Sequence, residues 1–154
     1  FQVKLIAHDK YKKGFGKGVV KEVSLEELKL SADIISLHVP LTDETIGMVG
    51  EGFLSSLSGP VYLINTARGP LVQTKPLIDA LHSGKVLGAC LDVLEFETEN
   101  LKMPPLEELP ETANALMKNE KVVLTPHIAG LTAESYEKLS SVLADKIIEA
   151  FGHA

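Results

Sequence analysis

The chain has 154 residues, 45% of them hydrophobic and 23% charged, with a net charge of -6, which suits one globular domain with a single core. Scattered rather than striped lysines argue against a nucleic-acid surface; no apolar run reaches the ~18 residues of a membrane span, and no basic-then-apolar leader opens the chain. The one cysteine, Cys90, excludes an internal disulfide and fits a reducing cytoplasm, and its place inside an apolar run predicts an inert buried thiol.

Val3 to Ala7 opens the chain as a short apolar run with the character of a buried strand. Gly14, Gly16 and Gly18 follow, but their spacing is wrong for a phosphate loop. Val19-Val20 also stands where a helix should begin, so this stretch reads as a flexible turn. Ser24-Leu25-Glu26-Glu27 has the form of a capping box and predicts a helix ending near Ser31. Asp33 to Leu37 and Val61 to Ile64 read as further buried strands. Thr74 to His82 reads as a helix stopped by Gly84 at its C′ position. Val86 to Leu91 is the next strand.

Thr98 to Glu120, with Pro104, Pro105 and Pro110 among many carboxylates, reads as a surface excursion with one helical turn around Ala113 to Lys118. The acidic stretch Glu107 to Glu111 within it reads as a solvated face. Val122 to Leu124 is a last, β-branched strand. A final helix is predicted from Thr132 to a stop at Gly152, with Tyr136, Leu139, Val142, Leu143, Ile147 and Phe151 at helical spacing. Continuous rather than alternating apolar runs suit parallel strands covered on both faces. The alternation of strand and helix predicts an α/β fold, a doubly wound, Rossmann-like parallel sheet.

In such sheets ligands bind beyond the carboxyl ends of the strands. The residues placed there are Asp9, then His38 and Thr42, then Thr66 to Arg68, then Asp92 and Glu97, then Pro126 and His127. Singly, each has a plainer reading: an exposed arginine, solvated loop carboxylates, a satisfied histidine. Jointly, at successive strand ends, they point to one shared site. His8, His38, His82 and His153 lack metal-ligand spacing, so no metal is expected.

At these residues the chain resembles the D-isomer-specific 2-hydroxyacid dehydrogenases, in particular phosphoglycerate dehydrogenase-like members. The resemblance runs over nearly all of residues 1-154. It is carried by Ile64-Asn65-Thr66-Ala67-Arg68-Gly69, by Gly88-Ala89-Cys90-Leu91-Asp92-Val93 with Glu97 following, and by Thr125-Pro126-His127-Ile128-Ala129-Gly130. His38-Val39-Pro40-Leu41-Thr42 with Thr45 supports it.

The resemblance implies an oxidoreductase that moves a hydride between NAD(H) and a small D-2-hydroxy acid or 2-keto acid. Phosphoglycerate, glycerate and lactate all remain open. Arg68 would grip the substrate carboxylate with its planar fork. His127 would pass a proton to or from the C2 oxygen, and Glu97 would orient His127 and favour its protonated form. Glu95 is a lesser rival for that partner role.

Cofactor contacts are implied for Asp9, His38, Pro40, Thr45, Thr66, Ala67, Asp92, Ala129 and Gly130, with Asp92 receiving the nicotinamide carboxamide. Asp9 is placed to accept the ribose hydroxyls of an adenosine, which favours NAD over NADP; Lys10, Lys12 and Lys13 beside it pull the other way. A homodimer, no membrane and a cytoplasmic location complete the expectation.

The G-x-G-x-x-G turn, the strand before it and the family's substrate domain are not in the sequence. The chain therefore reads as a partial dinucleotide-binding domain from a longer protein, with weak NAD binding and little turnover alone. The strand is expected between the ones at Val3 and Val61. An NAD(H)-sensing corepressor of the same fold is the alternative reading. A formate dehydrogenase is disfavoured, because those enzymes resemble this chain with glutamine in place of Glu97.

Overall fold

A computed structural model describes residues 2–97 and 103–152. Strand β1 (Leu5–Ala7) is followed by β2 (Val20–Glu22), α1 (Leu25–Ser31), β3 (Ile34–Leu37) and α2 (Glu51–Ser55). Then come β4 (Val61–Asn65), α3 (Thr74–Ser83), β5 (Val86–Leu91), α4 (Glu111–Met117), β6 (Val122–Leu124) and α5 (Ala133–Phe151). All strand pairs are parallel, in the order β1-β2 in one sheet and β3-β4-β5-β6 in the other.

The helix boundaries follow local chemistry. Ser24 Oγ accepts the Glu27 N–H at 3.0 Å and caps α1. The reciprocal half of the predicted box is not made, because the Glu27 carboxylate pairs instead with Lys21 at 2.7 Å. Gly84 ends α3 in the left-handed region at φ 77°, where a Cβ would be unfavourable. Thr132 caps α5 through the Ser135 N–H at 3.1 Å.

Along β3, β4 and β5, side chains alternate between two faces. Ile35, Leu37, Leu63, Ala89 and Leu91 point to one face and pack under Leu54 of α2, Leu77, Ile78 and Leu81 of α3 and Leu116 of α4. Leu77 and Leu81 are completely buried, and each such side chain contributes roughly 1.5–3 kcal/mol of transfer free energy. The opposite face is open, with Ile34 at 60%, Tyr62 at 51% and Val123 at 60% exposure. The expectation of cover on both faces thus holds for one face among the described residues.

That asymmetry corrects the reading of Cys90. It pairs in register with Ile64 and Val123 and is exposed, because it belongs to the open face. The predicted gap in the sheet is also corrected. β4 is paired on both sides, by β3 and by β5, so the expected strand has no place beside Val61; among the described strands the edges of this sheet are β3 and β6.

Three further elements differ from expectation. Val20–Glu22 pairs with Leu5–Ala7 as a strand, although its three residues give too short a pattern to stand out. The five-residue α2 is hidden in the sequence for the same reason. Part of the proline-rich excursion is packed: Leu109, Ala113 and Leu116 are buried, with Pro110 preceding α4. Helical spacing of Ala113 and Leu116 gives α4 its buried side. Residues 98–102 of the excursion lie outside the described residues. The apolar residues of α5 keep their helical spacing but face outward, from Val142 at 48% to Phe151 at 78% exposure.

Candidate active site

The carboxyl ends of β4, β5 and β6 carry three turns that are locked together. Asn65, fully buried at the end of β4, organises the first. Its Nδ2 donates to the Arg68 carbonyl at 2.9 Å, and its Oδ1 accepts the Ala67 N–H at 3.1 Å. This staples Arg68 at the rim, where its exposed guanidinium donates to the Ala67 carbonyl at 2.7 Å.

Gly69 then brings this turn onto the loop after β5. A Cβ there would sit 1.9 Å from the Leu94 carbonyl oxygen, so only glycine permits the approach. The segment before α2 is tied to the same turn: Gly47 N–H donates to Pro70 O at 2.8 Å and Val49 N–H to Leu71 O at 2.9 Å.

The loop after β5 presents Glu97. Leu94 N–H donates to Glu97 Oε1 at 2.9 Å, and Glu97 N–H donates back to Leu94 O at 3.1 Å. With one oxygen anchored, the other lies 2.9 Å from His127 Nδ1. Side-chain exposure is 9% for Glu97 and 26% for His127, so the pair is largely withdrawn from water while the imidazole edge stays reachable. An ionised carboxylate only accepts, so Nδ1 carries the proton and Nε2 is the nitrogen left for a reacting partner. Glu95 is engaged elsewhere, its Oε2 accepting the Thr74 N–H at 2.7 Å, at the start of α3. Geometry therefore sets Glu97, the glutamate that spacing favoured, and not its lesser rival Glu95, against His127.

His127 adopts φ 54°, the left-handed region that costs a non-glycine residue on the order of 1–3 kcal/mol. Asp92 holds it there. Its Oδ1 accepts the Thr125 hydroxyl at 2.5 Å and the Ile128 N–H at 2.8 Å, and Oδ2 accepts the Ala129 N–H at 2.9 Å. The His127 N–H donates to the Asp92 carbonyl at 3.0 Å. Burial pushes the Asp92 carboxyl up, but the Thr125 hydroxyl and the Ala129 and Ile128 N–H groups outweigh it, and its pKa lies below the usual carboxylate value. Asp92 is thus the clamp of the histidine turn, a role its position in the sequence did not reveal.

Of the remaining predicted residues, His38, Pro40 and Thr45 follow β3 at the same end of the four-stranded sheet, and Asp9 follows β1 in the other sheet. Asp9 Oδ1 accepts the N–H groups of Lys12 and Tyr11, both at 2.8 Å, which hold its carboxyl below the usual range, Lys12 most of all. Its Oδ2 has no hydrogen bond among the described residues. His38 is exposed, with Nε2 2.8 Å from Ser36 Oγ. Thr45 shapes its own turn: its hydroxyl donates to the Pro40 carbonyl at 2.7 Å and accepts the Thr42 N–H at 2.8 Å. Thr66, Ala129 and Gly130 are exposed and Ala67 is half-buried. Among the described residues, no three His, Cys, Asp or Glu side chains are grouped to hold a metal. Nor is any helix among them long and apolar enough to cross a membrane.

Asn65 and Gly69 lie within the sequence motifs, yet only the structure shows what they do. A polar asparagine closing an apolar strand just before a rim arginine was the available signal. The contact of Gly69 with Leu94 was not readable in one dimension.

Residues 1–129 match the family described as D-isomer specific 2-hydroxyacid dehydrogenase, NAD binding domain. The chain belongs to this family. It is 37% identical to a glyoxylate reductase of Thermofilum pendens over 96% of its own length and 41% of that protein. With a hydroxypyruvate reductase of Thermotoga maritima it shares 36% identity over 99% of its length and 46% of the relative. In structure it superposes on the NAD-complexed D-isomer specific 2-hydroxyacid dehydrogenase of Lactobacillus delbrueckii ssp. bulgaricus with a TM-score of 0.81, at 36% identity, covering 98% of this chain and 46% of that one. The chain spans less than half the length of these family members, and the part it matches is the NAD-binding domain.

Proposed function

We propose that the protein containing this chain is an oxidoreductase that interconverts a small D-2-hydroxy acid and its 2-keto acid with NAD(H), and that Arg68, Glu97 and His127 carry the chemistry. The observation that bears most weight is the Glu97–His127 contact at 2.9 Å on a strained turn beside the Arg68 loop. Residues held against local backbone preference by surrounding structure cluster at functional sites.

The rim suits the dinucleotide. Asp9 offers a carboxylate oxygen for ribose hydroxyls, and Thr66, Ala67, Ala129 and Gly130 offer an accessible, small-residue shelf for the nicotinamide end. When bound, NAD(H) supplies the hydride exchange at C2. Arg68 grips the substrate carboxylate with two parallel N–H donors and polarises the neighbouring carbonyl. Nε2 of His127 gives its proton to the C2 oxygen during reduction and takes it back during oxidation. Glu97 fixes the tautomer and the ring plane. Asp92 keeps the turn in place and leaves its less occupied Oδ2 for the carboxamide.

A panel of small 2-keto acids assayed with NADH on the whole protein tests the reading. At least one acid should turn over, and His127→Ala should lower that turnover by roughly 10²–10⁴, the usual worth of a general acid. Turnover within a few-fold of wild type would remove His127 from the proposed role.

A further inference from the structure

The loops after β1 and β3 meet at Glu44, in two contacts that the proposed chemistry does not use. Lys10 Nζ donates to Glu44 Oε2 at 2.8 Å, and the Tyr11 hydroxyl donates to the same oxygen. Lys10 also sits over the Tyr11 ring, 5.1 Å from its centre. Lys10 and Tyr11 directly follow Asp9, whose Oδ1 is taken by the N–H groups of Tyr11 and Lys12. Glu44 thus reaches from the loop after β3 to the lysine that directly follows Asp9 in the chain, while Lys13 Nζ donates to the Asp9 carbonyl at 3.4 Å.

Stability does not account for this contact. The two side chains are 63% and 56% exposed, and exposed ion pairs add little because water and salt screen them. The pairing does change what Lys10 offers to a ligand. The hydrogen bond to Glu44 raises the lysine's pKa, and the lysine lowers that of Glu44, so both stay charged and paired. A cation held this way has its charge and its best donor geometry already taken.

We infer that Glu44 is a specificity residue for the dinucleotide, acting by withholding Lys10 from a 2′-phosphate. Asp9 repels that phosphate, and Glu44 occupies Lys10, one of the cations beside Asp9 that would otherwise compensate. The sequence alone leaves Asp9 and its following lysines in conflict; the cross-loop pair takes Lys10 out of that conflict and so shifts the balance toward NAD. The inference rests on the proposed binding of the adenosine ribose at Asp9.

The test is equilibrium binding of NADH and NADPH to the whole protein, read by nicotinamide fluorescence at low ionic strength, where exposed charge effects are largest. Glu44→Gln should lower the NADPH-to-NADH Kd ratio by about tenfold, the worth of one charge-assisted hydrogen bond. In Glu44→Gln with Lys10→Met the ratio should return to within twofold of wild type. An unchanged ratio in the single variant, or a gain that survives loss of Lys10, would overturn the inference. Wild-type protein that binds neither dinucleotide would instead defeat the reading of Asp9 and the inference with it, an outcome distinct from wild-type NADH binding with an unresponsive ratio.

Discussion

Asp92 shows how much one buried carboxylate can determine. It is 4% exposed and accepts one hydroxyl and two backbone N–H groups that together shape the His127 turn. In Asp92→Asn, an NH₂ group would face one of those donors, so the whole protein should lose about 1.5–3 kcal/mol at neutral pH, as expected for hydrogen bonds to a charged group. The sign of the pH dependence follows from its lowered pKa. The ionised form is the one stabilised in the fold, so its contribution is complete above the unfolded value of ~3.9 and is lost as pH falls through the lower folded pKa. Denaturant unfolding of both forms from pH 7 to pH 3 should show the gap closing below about pH 4. A gap constant across that range would mean that the charge of Asp92 is not what the turn depends on. The type and place of Asp92 were legible in the sequence, whereas its partners were not, since they lie more than thirty positions away in the chain.

At the scale of elements, the site depends on two loops pressed together at Gly69 and Leu94. The Arg68 turn and the Glu97 loop leave neighbouring strands, and the absence of a side chain on Gly69 sets their separation. Gly69→Ala places a carbon 1.9 Å from a backbone oxygen, a collision no rotamer can relieve. The loops must part, at a cost of roughly 1–3 kcal/mol in the manner of other overpacked sites, and Arg68 should move relative to the Glu97–His127 pair. Steady-state kinetics should then show a higher KM and a lower kcat together, whereas Gly59→Ala, where nothing lies within 4 Å of the added carbon, serves as the control. Equal kinetics for both variants would show that the contact is unimportant. The strong elements, α1, α3 and β5, were legible because capping residues and apolar runs announce them locally. Strand β2 and helix α2 were not, because three and five residues are too few for a period to emerge.

Over the whole molecule, the described chain divides its proposed binding residues between two sheets that share no strand pairing. Asp9 stands on the β1-β2 side, while Arg68, Asp92 and His127 stand on the other. Among the described residues the halves are joined by Leu28 and Ala32, which pack against the main core, by Lys29 over the Phe53 ring, by Ser58 with the carbonyls of Lys29 and Leu30, and by Glu44 with Lys10 and Tyr11. A dinucleotide gripped at both ends must fix that relative placement, and ordering it subtracts from affinity. Residues 1–154 alone should therefore bind NAD more weakly than micromolar by calorimetry, and the whole protein more tightly. Micromolar affinity for the isolated chain would show that the two sheets are already held in the binding arrangement.

By itself the sequence determined the α/β class, the parallel strands and the residues that stand at their carboxyl ends. Those follow from local physics: apolar runs, capping side chains and the rule that ligands meet strand termini. Tertiary structure alone decided that Asp92 clamps the histidine turn, that Cys90 is exposed, that Glu44 engages Lys10 and that Glu95, the lesser rival of Glu97, is turned to Thr74 instead of His127. Each of these depends on which loop lies against which, and packing between distant segments sets that placement. No local pattern encodes it.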